Sequence, residues 1–395
     1  MKKTAAILLV GLLAMNVSAA EIMKGVRRIS FVGDSLTDAS AWTDWVIETL
    51  RANGYPDVVK QDAGIAGDNV AKLKARFTHD VLDRKPDLVI LNIGTNDRGP
   101  VEDYQREVGE LVKQVRQSGA KMLLLIPPGI NDPKDPTRDA RVVAYGEALR
   151  ELAKAHDCVL VDLHAKFAAG TRAASAAEQT AVSERKVAPA DAAKYANILW
   201  GPDGVHHTKN GWRVMGRAVL DALGCSAPML EQVPLERHML TEWYIAPPVP
   251  WKVGSPYPPL PAIPADFDPL QAGWRKYDRE TEAATTSWWQ ESWVLRGGIM
   301  PMGQNIAPGR PGAASTTTAS FSLATVTAAA EKNVTLHLGG ATGFAVWLNG
   351  ELVYECKGLR GYHPDADRVQ VTLRPGKNRI LVLANWLFYV ALTDN

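Results

Sequence analysis

Cysteine is scarce. The 395 residues hold three, Cys158, Cys225 and Cys356, and their scattered spacing excludes a disulfide framework and a cysteine-built zinc site. Export would permit one bridge, but the spacing selects no pair. Cys158 opens a strand-like run and reads as a small buried hydrophobe. Charge of one sign is missing too. A net charge of +1, with no long acidic or basic block, removes the electrostatic drive towards nucleic acid or anionic lipid. Long apolar runs are likewise absent. The stretch after Met1-Lys2-Lys3, "AAILLVGLLAM", is too short to span a bilayer. With "NVSAA" behind it, it has the form of a signal peptide over residues 1–20, cleaved after Ala19 or Ala20. No cysteine follows to take a lipid. The expectation is an exported protein, periplasmic or extracellular, with no membrane anchor in its mature form.

The length exceeds one ordinary domain, and the hydrophobic period changes along the chain. From about 27 to 224, apolar runs ("RISFVG", "PDLVILNIG", "KMLLLIPP", "CVLVDLH"), with a second strand region at "DVVKQDA", alternate with amphipathic helical stretches, the last being "NGWRVMGRAVLDALG". Strands without alternation, separated by helices, predict an α/β unit with a parallel sheet covered on both faces, over 21–225. Residues 246–269 hold nine prolines, and 226–316 also carries six of the twelve tryptophans (Trp243, Trp251, Trp274, Trp288, Trp289, Trp293). Proline breaks helices and cannot donate to a sheet ladder, so this segment reads as an extended arm packed on the α/β unit. From 317 to 395 the pattern is short and β-rich, with hairpin or turn signals at Asn349-Gly350 and Pro375-Gly376, which predicts a small antiparallel β-sandwich.

In a doubly covered parallel sheet, ligands sit beyond the carboxyl ends of the strands. Ile29–Ser40, "ISFVGDSLTDAS", ends such a strand on a serine in a turn. Gly67 in "GIAGDNV", Asn96 in "NIGTND", and Asp203 and His206 in "GPDGVHHTKNGW" fall at the same sheet edge. Each alone is a common loop residue; together they offer a nucleophile, oxyanion donors, a base and an orienting carboxylate. A serine hydroxyl attacks poorly until an imidazole takes its proton, which assigns Ser35 and His206 to those roles. Asp203, three residues before His206, is close enough to hold its tautomer. The backbone N–H groups of Ser35 and Gly67 and the amide of Asn96 are the candidate oxyanion donors. The set calls for no cofactor. His207 beside His206 lacks an aspartate at the same offset, and no ligand cluster near the two histidines argues for metal. His156 and His164 read as structural or solvated. Asp38, Asp68 and Asp97 fit either loop-orienting roles or solvated turn positions.

The blocks "FVGDSLTD", "GIAGDNV", "NIGTND" and "DGVH", in this order, resemble the SGNH (GDSL) hydrolases, a superfamily of esterases and lipases. The resemblance covers about 27 to 224. It implies a flavodoxin-like three-layer αβα sandwich, Ser35 as nucleophile, Gly67 and Asn96 as oxyanion donors, and Asp203 and His206 as the acid-base pair. Family substrates span lipids, thioesters, acetylated sugars and peptidoglycan. Export, a tail resembling the jelly-roll modules of glycoside-active proteins, and tryptophans whose flat faces suit sugar rings together favour one substrate. That substrate is an acylated, chiefly acetylated, glycan. A lipase or lysophospholipase, a sugar O-acetyltransferase and a non-catalytic glycan-binding protein are the alternatives.

Overall fold

The structure is a computed structural model. It describes residues 19–394 apart from 39, 169, 171, 183–191, 236–237, 287–290, 302–317, 341–342 and 357–365, so most of the expected signal segment and Trp288 and Trp289 lie outside the described residues.

Five strands, β1 (Arg28–Gly33), β2 (Val59–Gly64), β3 (Leu88–Asn92), β4 (Lys121–Ile126) and β5 (Val159–Asp162), form an all-parallel sheet in the order β2-β1-β3-β4-β5. Alternate residues serve opposite faces. Ile29, Phe31, Leu88, Ile90, Leu123 and Leu125 pack against helices 42–52, 163–167 and 209–222. Val32, Val89, Leu91, Met122, Leu124 and Ile126 pack against helices 70–80, 101–117 and 138–156. Burial on both faces is why β1, β3 and β4 carry apolar runs, while the edge strand β2 is more polar, and the result is an αβα sandwich. Because β1 lies between β2 and β3, the strand order reverses there. The crevice beyond Gly33 and Asn92 is thus the topological switch point.

The second half is β-rich. β6 (Tyr244–Ile245), β7 (Val249–Pro250) and β8 (Arg275–Lys276) come from the arm. They are followed by β9 (Thr318–Ala328), β10 (Lys332–Gly340), β11 (Phe344–Leu348), β12 (Glu351–Cys356), β13 (Asp367–Leu373), β14 (Gly376–Ala384) and β15 (Phe388–Asp394). A three-stranded sheet, β13-β10-β15, faces a larger one, β12-β11-β14-β9-β6-β8, with β7 on the far end of β9. Asn349 and Gly350, at φ 52° and 87°, make the tight β11–β12 turn that their sequence predicts.

The arm, expected to pack on the α/β domain, lies for much of its described length on the β-rich module. Its strands extend the larger sheet, and its proline-rich stretch covers that sheet's outer face, where Trp251, Trp274, Ile263 and Phe267 pack on Ala319, Phe321, Leu323, Trp347 and Leu383. Contact with the catalytic domain comes from the arm's ends. Met229 and Val233 pack beside Trp42 and Met215, and helix 291–295 lies against the nucleophile segment. Trp243, Trp251, Trp274 and Trp293 are all buried, so these four serve packing and present no open face to a sugar.

Among the described residues the three cysteines are free thiols, and burial pushes Cys158 up to about 11. No helix among them is long and apolar enough to cross a membrane.

Candidate active site

Ser35 opens the four-residue helix Ser35–Asp38 directly after β1. Asp34 caps it: its Oδ1 accepts the Leu36 N–H at 2.9 Å, and its carbonyl accepts those of Thr37 and Asp38. The Ser35 N–H, in the first turn, has no intrahelical acceptor and is free to serve a ligand. The Ser35 hydroxyl lies 2.9 Å from His206 Nε2. On the other side of the ring, Nδ1 is 2.6 Å from Asp203 Oδ2.

The Asp203–His206 loop is built to present that pair. Asp203 Oδ1 accepts the N–H groups of Val205 and His206, both at 3.0 Å, which leaves Oδ2 for the imidazole. Gly204 has φ +70°, and a Cβ there would fall 1.9 Å from the Asn131 carbonyl oxygen, so only glycine fits between the two residues. Burial alone would raise the Asp203 carboxyl, but the hydrogen bond and charge of His206 and the two backbone donors outweigh it. Together they hold the group at about 2. Asp203 is therefore anionic across the working range and stabilises the imidazolium.

Gly67 sits at φ +82° in the loop after β2, a conformation other residues rarely adopt. Asn96 follows β3. Arg138 Nη2 donates to Asn96 Oδ1 at 3.0 Å, and a guanidinium can only donate, so the amide is oriented with its NH₂ towards the Gly67 loop. Asn96 Nδ2 gives one hydrogen to the Asp68 carbonyl at 2.9 Å, leaving the second for an oxyanion.

The three uncommitted aspartates all hold these loops. Asp38 Oδ2 accepts the Ala66 N–H at 3.0 Å, joining the nucleophile helix to the Gly67 loop. Asp68 receives Arg76 Nε at 2.8 Å, and Asp97 receives the Val70 N–H at 3.1 Å. Burial raises Asp38 to about 8 against the opposing pull of Trp293, Arg296 and Ala66, and raises Asp34 to about 7 and Asp97 to about 6.

His207 is buried with neither ring nitrogen hydrogen-bonded, tilts against Phe167 at 4.7 Å, and burial drives it down to about 3. It is a neutral packing residue. Among the described residues no group of three His, Cys, Asp or Glu side chains could hold a metal. His164 meets Asp139 at 3.1 Å, away from the triad.

The structure thus brings Ser35, Asp203 and His206 together and puts Gly67 and Asn96 on the adjoining loops. Sequence reading missed Arg138, Arg76, Trp293 and Arg296. Of these only Arg76, four residues before its partner Asp80 on one helix, carries a local signal.

Residues 31–184 match the GDSL-like Lipase/Acylhydrolase family. The chain is 26% identical over 172 residues to the acetylxylan esterase of Geobacillus stearothermophilus, covering 36% of this chain and 78% of that protein. It is 31% identical over 129 residues to esterase TesA of Pseudomonas aeruginosa, covering 30% of this chain and 63% of that protein. Among solved structures it is similar to the acetylxylan esterase Axe2 of Geobacillus stearothermophilus, with 23% identity, 53% of this chain and 97% of that chain covered, and a TM-score of 0.39. It is also similar to a lipase/acylhydrolase of Enterococcus faecalis, with 20% identity, 49% and 94% coverage, and a TM-score of 0.39.

Proposed function

We propose that this chain, whose first half carries a GDSL-like lipase/acylhydrolase domain, is an exported serine esterase that removes acetyl groups from a polysaccharide. The observation that carries the hydrolase reading is the continuous relay from Ser35 Oγ to His206 Nε2 at 2.9 Å and from His206 Nδ1 to Asp203 at 2.6 Å. Ser35 Oγ attacks the ester carbonyl while His206 takes its proton. The oxyanion is held by the N–H groups of Ser35 and Gly67 and the Asn96 amide. Collapse returns the proton to the leaving sugar oxygen and leaves an acyl-Ser35. Water, deprotonated by His206, then attacks the acyl carbon, and acetate and free Ser35 result.

Acetylated glycan is favoured by the signal-like N-terminus and by a relative named for acetylxylan. The buried tryptophans no longer add to that case. The deciding experiment measures acetate released from acetylated xylan, xyloglucan, pectin and peptidoglycan beside p-nitrophenyl esters of rising chain length. Acetate from a polysaccharide, with turnover falling as the acyl chain grows, is expected. Preference for long chains points to a lipase, and acetyl transfer to an added sugar points to a transferase.

One residue tests the oxyanion assignment separately. Asn96→Ala is expected to lower kcat by about 10²- to 10³-fold at nearly unchanged KM, the usual loss for one such donor. A loss below threefold removes Asn96 from the site.

A further inference from the structure

The nucleophile helix is one turn long, and its carbonyl end cannot be satisfied from within. The last carbonyls of any helix lack intrahelical donors, and here the chain passes at once into the next helix at Trp42. The Leu36 carbonyl takes the Trp42 indole N–H at 2.9 Å, but the side-chain donors to the Asp38 carbonyl come from more than 250 residues downstream. The Trp293 indole N–H lies 3.0 Å from the Asp38 carbonyl and 2.9 Å from Asp38 Oδ1. Arg296 donates through Nη1 to the Asp38 carbonyl at 2.8 Å and through Nη2 to Ser40 O at 2.7 Å and Thr43 Oγ1 at 3.1 Å. Its Nε reaches Asp44 Oδ2 at 2.8 Å.

A guanidinium only 2% exposed is a costly group to bury, where an apolar side chain would serve mere packing better. What the cation and the indole do that apolar packing cannot is fix backbone oxygens. The backbone oxygens they fix are those of Asp38 and Ser40, and the second oxygen of the Asp38 carboxyl group holds Ala66, the neighbour of Gly67. On the same short helix Glu291 lies 3.6 Å from Lys209, three residues after His206. Residues 291–296 therefore touch the segments bearing the nucleophile and the base, and reach the Gly67 loop through Asp38.

The stretch is rooted in the β-rich module. Val294 is fully buried in that module's core, Trp293 stands edge-on to Trp386 at 6.2 Å, and Ile299 and Phe388 exchange backbone hydrogen bonds at 2.8 and 3.0 Å.

We propose that Trp293 and Arg296 are positioning residues for acyl transfer. From the β-rich module they cap the nucleophile helix and, through Asp38, set Ser35 against the Gly67 loop, so that catalytic competence depends on the docked module. This rests on the Ser35–His206–Asp203 reading above.

The test uses the full-length protein, p-nitrophenyl acetate and the variants Trp293→Phe, Arg296→Met and Arg296→Lys. Misplacement of reacting groups by about 1 Å costs up to roughly 10²-fold, so kcat should fall by about 10- to 100-fold with KM within threefold. Arg296→Lys, which keeps the charge and some donors, should recover part of the loss. Phosphonylation of Ser35 by a fluorophosphonate should slow in parallel, although circular dichroism stays that of the parent. If Arg296→Met does not fold, Trp293→Phe decides, since it keeps an aromatic ring and deletes the N–H. A folded Trp293→Phe with parental kcat and labelling rate overturns the proposal. Full activity in Ser35→Ala would instead remove the reading beneath it, so the two failures are distinguishable.

Discussion

Ser35→Ala is expected to cut ester hydrolysis by roughly 10⁴- to 10⁶-fold, the range seen when a triad nucleophile is removed, while the melting temperature shifts by only a few degrees. The size follows from the geometry. Ser35 Oγ is the nucleophile placed at His206 Nε2, and without it the acyl-enzyme route closes, leaving water beside an intact oxyanion site. The small effect on stability follows from the environment. The fold rests on the helix's backbone bonds and the Asp34 cap, which alanine leaves in place. His206 keeps its bond to Asp203, and its 30% exposed side chain can turn Nε2 towards water, so no buried group is orphaned. Activity above a tenth of the parent in the purified variant would exclude Ser35 as nucleophile. A large fall in melting temperature would mean that the hydroxyl also holds the turn.

Most of the catalytic domain was legible because its signals are local. Unbroken apolar runs such as Leu88–Leu91 mark doubly buried strands, and each site residue follows a strand of the sheet or precedes the last helix. Asp203 and His206 could be paired at sight because three residues of one turn separate them. What supports the site was not legible, because its partners share no turn or period. Arg138 orients Asn96 across 42 positions, and Arg296 reaches Asp44 across 252. The β-rich half hid something different. In β9 the alternation of Ala319, Phe321 and Leu323 with Ser320 and Ser322 suggests one wet face, yet all five are buried, because the arm lies over the apolar side and the serine side, continued by Ala324, faces the core between the two sheets. Alternation reports which face is greasier; it cannot say which partner covers that face. For the same reason the tryptophan-rich arm could be read as a sugar platform. Its four described tryptophans, spread over 243–293, belong to two cores.

Removing everything after Cys225 is expected to yield an aggregating protein with little p-nitrophenyl acetate turnover. The deletion differs from a point change at Arg296. It returns the Asp38 and Ser40 carbonyls to water, so they are not left unpaired, and Asp44 keeps Lys60 at 2.7 Å. The damage is the apolar surface laid bare where Ala227, Met229 and Val233 had packed. Full burial of each such side chain contributes about 1.5–3 kcal/mol, against a total stability of about 5–15 kcal/mol for a domain. Losing several at once brings the fragment near the edge of folding, and the exposed patch promotes association. Any soluble fraction should still turn over slowly, because water holds the end of the nucleophile helix less rigidly than a buried guanidinium and indole. A flexible tether to an independent binding module predicts the reverse: a monodisperse 1–225 fragment with parental turnover of the small ester and weaker binding to polymer. Size-exclusion chromatography and p-nitrophenyl acetate kinetics on that fragment separate the two, and a soluble, fully active fragment would show that the β-rich half is no part of the catalytic unit.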